Sequence, residues 1–391
     1  MLIDMTPEQR HLRDELRAYF ARMMTHDLQA EIKGTEGGGP LYRVALEQMG
    51  KDGWLGVGWP KEYGGRGFTP IEQFIFSDEV QRAGYPIPFL TLNSVGPTIM
   101  KYGTEEQRQA FLPRILAGKC HFAIGYSEPA SGTDLASLTT KAVLDGEDYV
   151  INGSKVFTSL ADFADYIWLA VRTGLDGSKH RGISMIIVPT DAPGYSLTPI
   201  QTMGGVRTNA TYFNDVRVPA ANLVGGENNG WALIVNQLNH ERVSLSAVGP
   251  LERLFDGVCE WARETKLSDG RRVIDQPFAR ENMGRLKAKL EALRLLNWRQ
   301  AWAMTRGKLD MAEASAVKVM ATEFYVEAYQ LLMEVMGPEG QLRDGSPGAI
   351  LGGRVERMYR TTLILTFGGG TNEVQRDIIA MAGLGLPHYK K

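Results

Sequence analysis

The chain has 391 residues, of which 43% are hydrophobic and 23% charged, which is typical of a folded globular protein. Its net charge of -2 excludes a global field that attracts nucleic acid or an anionic membrane. Two cysteines, Cys120 and Cys259, are too few for a disulfide framework or a zinc site, so we expect a cytoplasmic protein without a metal. The sequence shows no signal peptide and no run of roughly 18 apolar residues that would span a membrane.

The first third of the chain predicts helices. Residues 6–9 have the form of a helix start, with a threonine N-cap, a proline at the first helical position and a capping-box glutamine. Apolar residues then follow at helical spacing: Leu12, Leu16, Tyr19, Phe20 and Met23. After a connection rich in glycine and tryptophan, helices resume up to about residue 115. We predict an N-terminal α-helical domain over residues 1–118.

Short β-type runs dominate the middle of the chain. They lie at residues 149–151, 166–171, 185–188 and 211–213, separated by glycine, asparagine, aspartate and proline. We therefore predict a middle β-domain, a barrel or sandwich, over residues 119–227.

Helical periodicity returns after residue 230. Apolar residues mark one long helix around 286–293 and another over 317–335, and segments near 231–264 and 350–366 are also helical. These predict a C-terminal four-helix bundle over residues 228–391, and an α+β fold for the whole chain.

The segment YSEPASGTD, residues 126–134, carries the strongest single functional signal. It is a hydroxyl-rich tight turn whose backbone N–H groups can bind a flavin edge or a phosphate without formal charge. A surface loop is the alternative reading of these nine residues alone.

Three further segments accompany it in a fixed order: 151–159 (INGSKVFTS), 212–219 (YFNDVRVP) and 370–376 (GTNEVQR). Together the four segments resemble the signatures of the acyl-CoA dehydrogenase family, at family spacing and across essentially the whole chain. The resemblance implies that this chain is an acyl-CoA dehydrogenase with the three domains described above.

The resemblance also implies an FAD site between the β-domain and the C-terminal bundle. Tyr126 and Ser127 would contact the flavin ring, Phe157 stands where the family usually has a tryptophan, and Ser159 where a threonine hydroxyl approaches flavin N5. Thr133 would lie near the diphosphate of FAD or the thioester of the substrate. Thr371 and Glu373 would approach the adenosine half of FAD. A purely structural role stays open for all of these except Ser127 and Phe157.

Desaturation of an acyl-CoA needs a base for the α-proton and a hydrogen bond to the thioester carbonyl. In most of the family the base precedes the Gly-Thr of the C-terminal signature, but here that position is Gly369. A minority of the family carries the base on a facing helix, and Glu241 in LNHERV (238–243) matches it. We predict Glu241 as the base, although a lone helical glutamate is by default a solvated charge, and we expect the Gly369 N–H to bind the thioester oxygen.

Two neighbours of Glu241 are less decisive. Arg242 is a candidate for the CoA-binding face, with a structural salt bridge as the equal alternative. His240 is predicted to be packed or solvated rather than catalytic.

Homotetrameric family members complete the flavin site of a neighbouring subunit with Arg-x-x-Phe-Gly and Gln-x-x-Gly-Gly. Here Thr265 and Ser268 replace the arginine and the phenylalanine, and Glu334 replaces the glutamine. Alignment slippage is one explanation. Our hypothesis is instead that a related subunit supplies the diphosphate-binding half, as in the α2β2 acyl-CoA dehydrogenases of steroid side-chain degradation; a homo-oligomer is the alternative.

Other functions than acyl-CoA dehydrogenation stay open. An acyl-CoA oxidase or a flavin monooxygenase would share the fold, and Glu241 disfavours only the latter. A non-catalytic partner subunit is the other rival. For a dehydrogenase, we expect an electron-transfer flavoprotein as acceptor and, because glycines occupy 368–370, a bulky or branched acyl-CoA as substrate.

Overall fold

The computed structural model describes residues 4–174, 179–244, 246–307 and 310–387, with only the backbone described over 238–244. Its N-terminal part is helical: α1 Pro7–Met23, α2 His26–Glu31, α3 Pro40–Lys51, α4 Pro70–Ala83, α5 Gly96–Tyr102 and α6 Glu105–Leu116. The predicted start of α1 is confirmed, because Thr6 and Gln9 form a capping box and Pro7 is the first helical residue. Leu12, Leu16 and Phe20 are buried, as their spacing predicts.

The middle part forms one connected sheet over the described residues: β1 Phe122–Gly125, β2 Lys141–Asp145, β3 Asp148–Lys155, β4 Tyr166–Arg172, β5 Ile183–Pro189, β6 Tyr195–Gln201, β7 Arg207–Pro219 and β8 Leu223–Val224. The strand order is β6-β7-β3-β2-β4-β5-β8, and β1 pairs with β4 in parallel. All four predicted β-type runs lie in strands, namely β3, β4, β5 and β7. The nearly continuous apolar runs of β4 and β5 are explained by the burial of these strands on both faces.

The C-terminal part is helical again: α7 Gly230–Ser244, α8 Gly249–Glu264, α9 Pro277–Thr305, α10 Met311–Met336, α11 Arg354–Thr362 and α12 Asn372–Ile378. Helix α10 lies at its centre and packs against α7, α8, α9, α11 and α12. The apolar residues that predicted α9 and α10, such as Leu286, Leu290 and Phe324, form one buried cluster. The bundle therefore has its own core, separate from that of the sheet.

The helical segment predicted near 231–264 is two helices, because the chain turns between α7 and α8. Asp78 on α4 accepts hydrogen bonds from the N–H groups of Val248 and Gly249, each at 2.8 Å. A side chain at Gly249 would meet the Asp78 carbonyl oxygen at 2.5 Å, so this close approach requires glycine. The side-chain amide of Asn297 on α9 donates a hydrogen bond to the Ser246 carbonyl of the same turn at 2.6 Å.

None of the helices in the described part of the chain is both long and apolar enough to cross a bilayer.

Candidate active site

The predicted flavin loop, residues 126–134, is fixed from inside by an ion pair. Lys155, at the end of β3, is 1% exposed and donates to the Glu128 carboxylate at 2.9 Å and to the Tyr126 carbonyl at 3.1 Å. The same carboxylate accepts the N–H groups of Thr139 and Thr140 at 2.7 and 2.8 Å. Burial alone would raise the pKa of Glu128, but the Lys155 charge and these donors lower it to about 2.

Two further contacts join this loop to the rest of the molecule. The Ser127 carbonyl accepts the Val156 N–H at 2.9 Å, so Ser127 lies directly beside the end of β3. The Tyr126 hydroxyl donates to Gln237 on α7, and the Trp168 indole N–H reaches the same Gln237 oxygen at 3.2 Å. The loop therefore bridges the sheet and α7.

Phe157 and Ser159 follow β3 and lie at the surface of the same region. Phe157 is 66% exposed and has a φ of 60°, a left-handed conformation that is strained for a bulky residue. Ser159 donates to the Thr208 hydroxyl at 3.3 Å. An exposed aromatic ring held in a costly backbone conformation is typical of a binding site rather than of packing.

Sequence reasoning missed Glu36 as a neighbour of Ser159. Loss of hydration raises the pKa of the Glu36 carboxyl, and the nearby Ser159 side chain opposes this shift. The signal that could have found it, a lone glutamate among glycines at 34–39, is too weak to single out. The structure thus adds a carboxyl group beside a predicted flavin residue.

Thr133 lies at the open side of the flavin loop. It is exposed, and a side chain at the preceding Gly132 would find no atom within 4 Å. The neighbouring Asp134 is ion-paired with Lys179 at 2.7 Å. This turn therefore faces solvent in the isolated chain.

A second loop, residues 366–371, contains the predicted site residues Gly369 and Thr371 and leads into α12. Gly369 and Gly370 have φ values of 65° and 92°, conformations that favour glycine. The Thr371 hydroxyl caps α12 by accepting the Val374 N–H at 3.2 Å. The contact that sequence reasoning missed is Lys318 on α10, whose ammonium donates to the Gly370 carbonyl at 2.8 Å.

Two polar residues of α12 complete this region. Glu373 is exposed, and its own backbone N–H and the Thr371 side chain lower its pKa. Gln375 is 0% exposed, and neither atom of its amide has a partner among the described residues. An unpartnered buried amide is costly unless a further group contacts it.

The predicted base and its neighbours lie on α7, but their side chains are outside the described residues. This applies to Glu241, Arg242 and His240. The backbone of α7 packs against α10 and against the π-helical turn Leu90–Val95. The predicted roles of these residues stay predictions.

The polar residues where the family's diphosphate-binding motifs are altered contact other residues of this chain. Thr265 ends α8, and Glu334 accepts a hydrogen bond from Asn282 at 3.1 Å. Two arginines follow this stretch in the chain, and Arg271 is ion-paired with Asp269 at 2.6 Å. Arg272 is likewise paired with Asp275 at 2.8 Å.

Two cavities accompany these elements. One of about 220 Å³ lies between α4, the π-helical turn and the α7–α8 connection, and its walls are largely apolar: Trp59, Phe74, Pro97, Met100, Ala247 and Met304. A larger one of about 870 Å³ lies between α2, α8 and α11 and is lined by several arginines, among them Arg253, Arg354 and Arg357.

Comparisons with known proteins cover the whole chain. Family models described as the N-terminal, middle and C-terminal domains of acyl-CoA dehydrogenase match residues 6–119, 123–216 and 228–384. The Mycobacterium tuberculosis protein named acyl-CoA dehydrogenase FadE26 is 57% identical over 400 residues, covering 100% of both chains. This likeness confirms the predicted α+β fold, in which helices precede and follow a β-domain.

Solved structures agree with the sequence comparison. A chain of the ChsE4-ChsE5 complex from Mycobacterium tuberculosis is 57% identical, with a TM-score of 0.94 and 100% of both chains covered. A chain of the structure described as the Tcur3481-Tcur3483 steroid ACAD is 51% identical, with the same TM-score and coverage.

Proposed function

This chain belongs to the acyl-CoA dehydrogenase family, and from that premise we propose that it is the catalytic subunit of a heteromeric enzyme that desaturates a bulky acyl-CoA, with Glu241 as the base. The observation that carries the proposal is the exchange of positions: glycine at 369, where most of the family has its base, and glutamate at 241 on α7.

The cofactor of the family is FAD, and the residues present fit it. Phe157 offers an exposed aromatic face, Ser127 and Ser159 offer hydroxyls, and the unpartnered buried amide of Gln375 lies beside the glycine loop. When bound, FAD supplies the acceptor for the hydride that leaves the β-carbon. In our proposal Tyr126, Ser127, Phe157 and Ser159 orient the flavin ring.

Thr133, Thr371 and Glu373 are proposed to contact the rest of the same cofactor, and Thr133 also the thioester region. Their position at exposed or helix-capping sites leaves them accessible to a ligand.

The backbone of α7 supports Glu241 as the base. Position 241 follows position 237 by four residues, so the two positions lie on one face of the helix. Gln237 contacts Tyr126 of the predicted flavin loop, which directs that face towards the flavin site. A carboxylate in a water-poor pocket has a raised pKa and takes up an α-proton near neutral pH.

Glu241→Gln tests the base. We expect the variant to keep FAD and to lose about 10²–10⁴-fold in turnover, the usual contribution of general base catalysis. Glu260→Gln, at an exposed position of α8, is the matched control and should retain wild-type turnover. Substantial dehydrogenation by Glu241→Gln would refute the assignment.

We further infer that a related subunit completes the flavin site. By the resemblance, Glu334 would put a carboxylate near the diphosphate, which is unfavourable. Arg271 and Arg272, which follow the altered motif in the chain, are ion-paired with Asp269 and Asp275. Two chains of known structure that are similar to this one come from structures whose names join two proteins, ChsE4-ChsE5 and Tcur3481-Tcur3483.

The assembly is tested by counting FAD per subunit, first for this chain alone and then after co-expression with a related subunit. We expect little FAD on the chain alone and tight FAD in the mixed assembly. Tight, stoichiometric FAD in a homo-oligomer would overturn the proposed assembly without affecting the role of Glu241.

A bulky substrate, such as a steroid side-chain CoA thioester, is proposed from the glycines at 368–370, which remove side-chain volume beside the flavin site. We propose that the apolar cavity of about 220 Å³ at Ala247, just beyond α7, takes up part of such a chain. A series of CoA thioesters from butyryl to a steroid side chain tests the preference, and higher kcat/KM for butyryl-CoA would reject it.

The electron acceptor separates a dehydrogenase from an oxidase. We expect substrate to reduce the flavin anaerobically, air to reoxidise it slowly, and an electron-transfer flavoprotein to do so rapidly. Fast reoxidation by air would favour an oxidase. The expected cytoplasmic location stays a prediction.

A further inference from the structure

A buried lysine contacts the glycine loop from below. Lys318 on α10 is 0% exposed, and its ammonium donates to the Gly370 carbonyl and the Asn372 side-chain oxygen, each at 2.8 Å, and to the Thr366 carbonyl at 3.4 Å. These acceptors lie on both sides of Gly369. One ammonium therefore binds the loop before and after the position that replaced the usual base.

The loop depends on such a contact because of its composition. Gly368, Gly369 and Gly370 carry no side chains that could anchor it, and a run of glycines loses more conformational entropy on ordering than other residues do. Only backbone groups remain as points of attachment. An ammonium with three donors can hold several carbonyls at once, which a hydroxyl cannot do.

Helix α10 also holds the helix that carries the proposed base. The Tyr325 hydroxyl donates to the Ala247 carbonyl, just beyond α7, and α7 packs along α10. Lys318 and Tyr325 are seven residues, or two turns, apart and therefore lie on one side of α10. The loop of Gly369 and the helix of Glu241 are thus aligned by one rigid element.

Burying an ammonium is unfavourable unless its hydrogen bonds compensate for lost hydration. Fixing a loop of modest length would not by itself require a charge at this depth. The fixed loop is, however, the one whose Gly369 N–H is the proposed donor to the thioester carbonyl, and such a donor acts only when it is oriented before the reaction.

We propose that Lys318 is a positioning residue, which fixes the Thr366–Gly370 loop so that the Gly369 N–H polarises the thioester carbonyl. This inference rests on the proposed function, because it assigns Gly369 its part in that reaction. In this proposal Lys318 acts through the loop and not on the acyl group.

The test uses the FAD-loaded assembly with Lys318→Met, which keeps the length of the side chain and removes its charge and donors. The first measurement is the infrared stretching frequency of a ¹³C-labelled thioester carbonyl in bound enoyl-CoA, the reaction product. In the wild type this frequency should fall on binding, and Lys318→Met should lose most of that shift. The control, Lys287→Met, removes an exposed lysine of α9 that pairs with Glu291.

The second measurement separates orientation from binding. Under single-turnover conditions we expect Lys318→Met to slow flavin reduction at saturating acyl-CoA by about 10- to 100-fold, the size of effect that a small misplacement causes. The apparent Kd for acyl-CoA should change by less than about 3-fold. A merely structural lysine would instead lower FAD content and leave the carbonyl shift per bound FAD unchanged, and that result would overturn the proposal.

Asn372→Ala serves if Lys318→Met does not fold. It removes one acceptor of Lys318 and should lose part of the carbonyl shift, whereas an unchanged shift in this variant would refute the proposal. The shift is measured without turnover. A wild type that polarises the carbonyl but never reduces its flavin would therefore reject the proposed function while leaving the role of Lys318 open to the same test.

Discussion

Two buried lysines hold the two loops of the candidate active site, one in the sheet and one in the bundle. Lys155 meets a carboxylate, Glu128, which belongs to the flavin loop itself. Lys318 meets the carbonyls of Thr366 and Gly370 and the amide oxygen of Asn372. The difference follows from the loops, because residues 126–134 contain an acidic side chain and residues 366–371 contain none.

The two lysines bind groups that respond differently to a change of pH. An ion pair links the flavin loop to the protonation state of Glu128, and removing either partner leaves a buried charge. The contacts of Lys318 with Thr366, Gly370 and Asn372 are made to groups that carry no charge. Acid is expected to act on the flavin loop directly, through the carboxylate of Glu128.

The largest effect should come from Lys155→Met. It leaves Glu128, 5% exposed, without its cation, and breaking a buried pair in this way costs about 3–5 kcal/mol of unfolding free energy. Denaturant unfolding of the purified chain measures this loss. The double variant Lys155→Met with Glu128→Gln should recover a large part of it, since the uncompensated charge is gone. Equal losses in the single and double variants would show that the charge is not the cause.

Acid should weaken the flavin loop through Glu128. Its folded pKa of about 2 lies below the ordinary value of 4.5, so the folded state binds fewer protons than the unfolded state between these values. The stabilisation is complete above pH 4.5 and is lost as the pH falls towards 2. It amounts to about 3 kcal/mol at 1.36 kcal/mol per pKa unit.

The measurement for this acid effect is the difference in unfolding free energy between the wild type and the double variant at pH 7 and at pH 3.5. The difference should shrink towards the lower pH. A difference that stays constant over this range would mean that Glu128 titrates normally in the folded protein.

The order of helices and strands, four of the eight described strands and the flavin loop could be predicted from the sequence, but the lysines could not. Helical spacing located α9 and α10, and the signature segments located the flavin loop and the position of Gly369. Lys318, however, lies 52 residues from Gly370 and next to Val317 in an otherwise ordinary helix, where a lysine is by default exposed. Lys155 lies 27 residues from Glu128, and only the pairing of β3 with its neighbours brings them together.

The break between α7 and α8 was missed for a related reason. Local periodicity continues across it, and the turn is stabilised by Asp78, about 170 residues away in the chain. Long-range polar contacts of this kind leave no periodic signal. One feature, in contrast, could be recognised only in the sequence: the glycine at 369 together with the glutamate at 241. The side chains at 238–244 lie outside the described residues.

The smallest effect should come from the exposed ion pair of the same flavin loop, Asp134 with Lys179. Both side chains are more than half exposed, with relative exposures of 58% and 52%, so water and salt screen their attraction. Lys179→Met should therefore lower the unfolding free energy by less than about 1 kcal/mol, the usual value of surface pairs. Lys155→Met is the matched comparison, because it removes the same kind of side chain from a buried position that contacts the same loop. If both variants lost similar stability, burial would not be what distinguishes the two pairs, and the flavin loop would be held by its exposed edge as much as from inside.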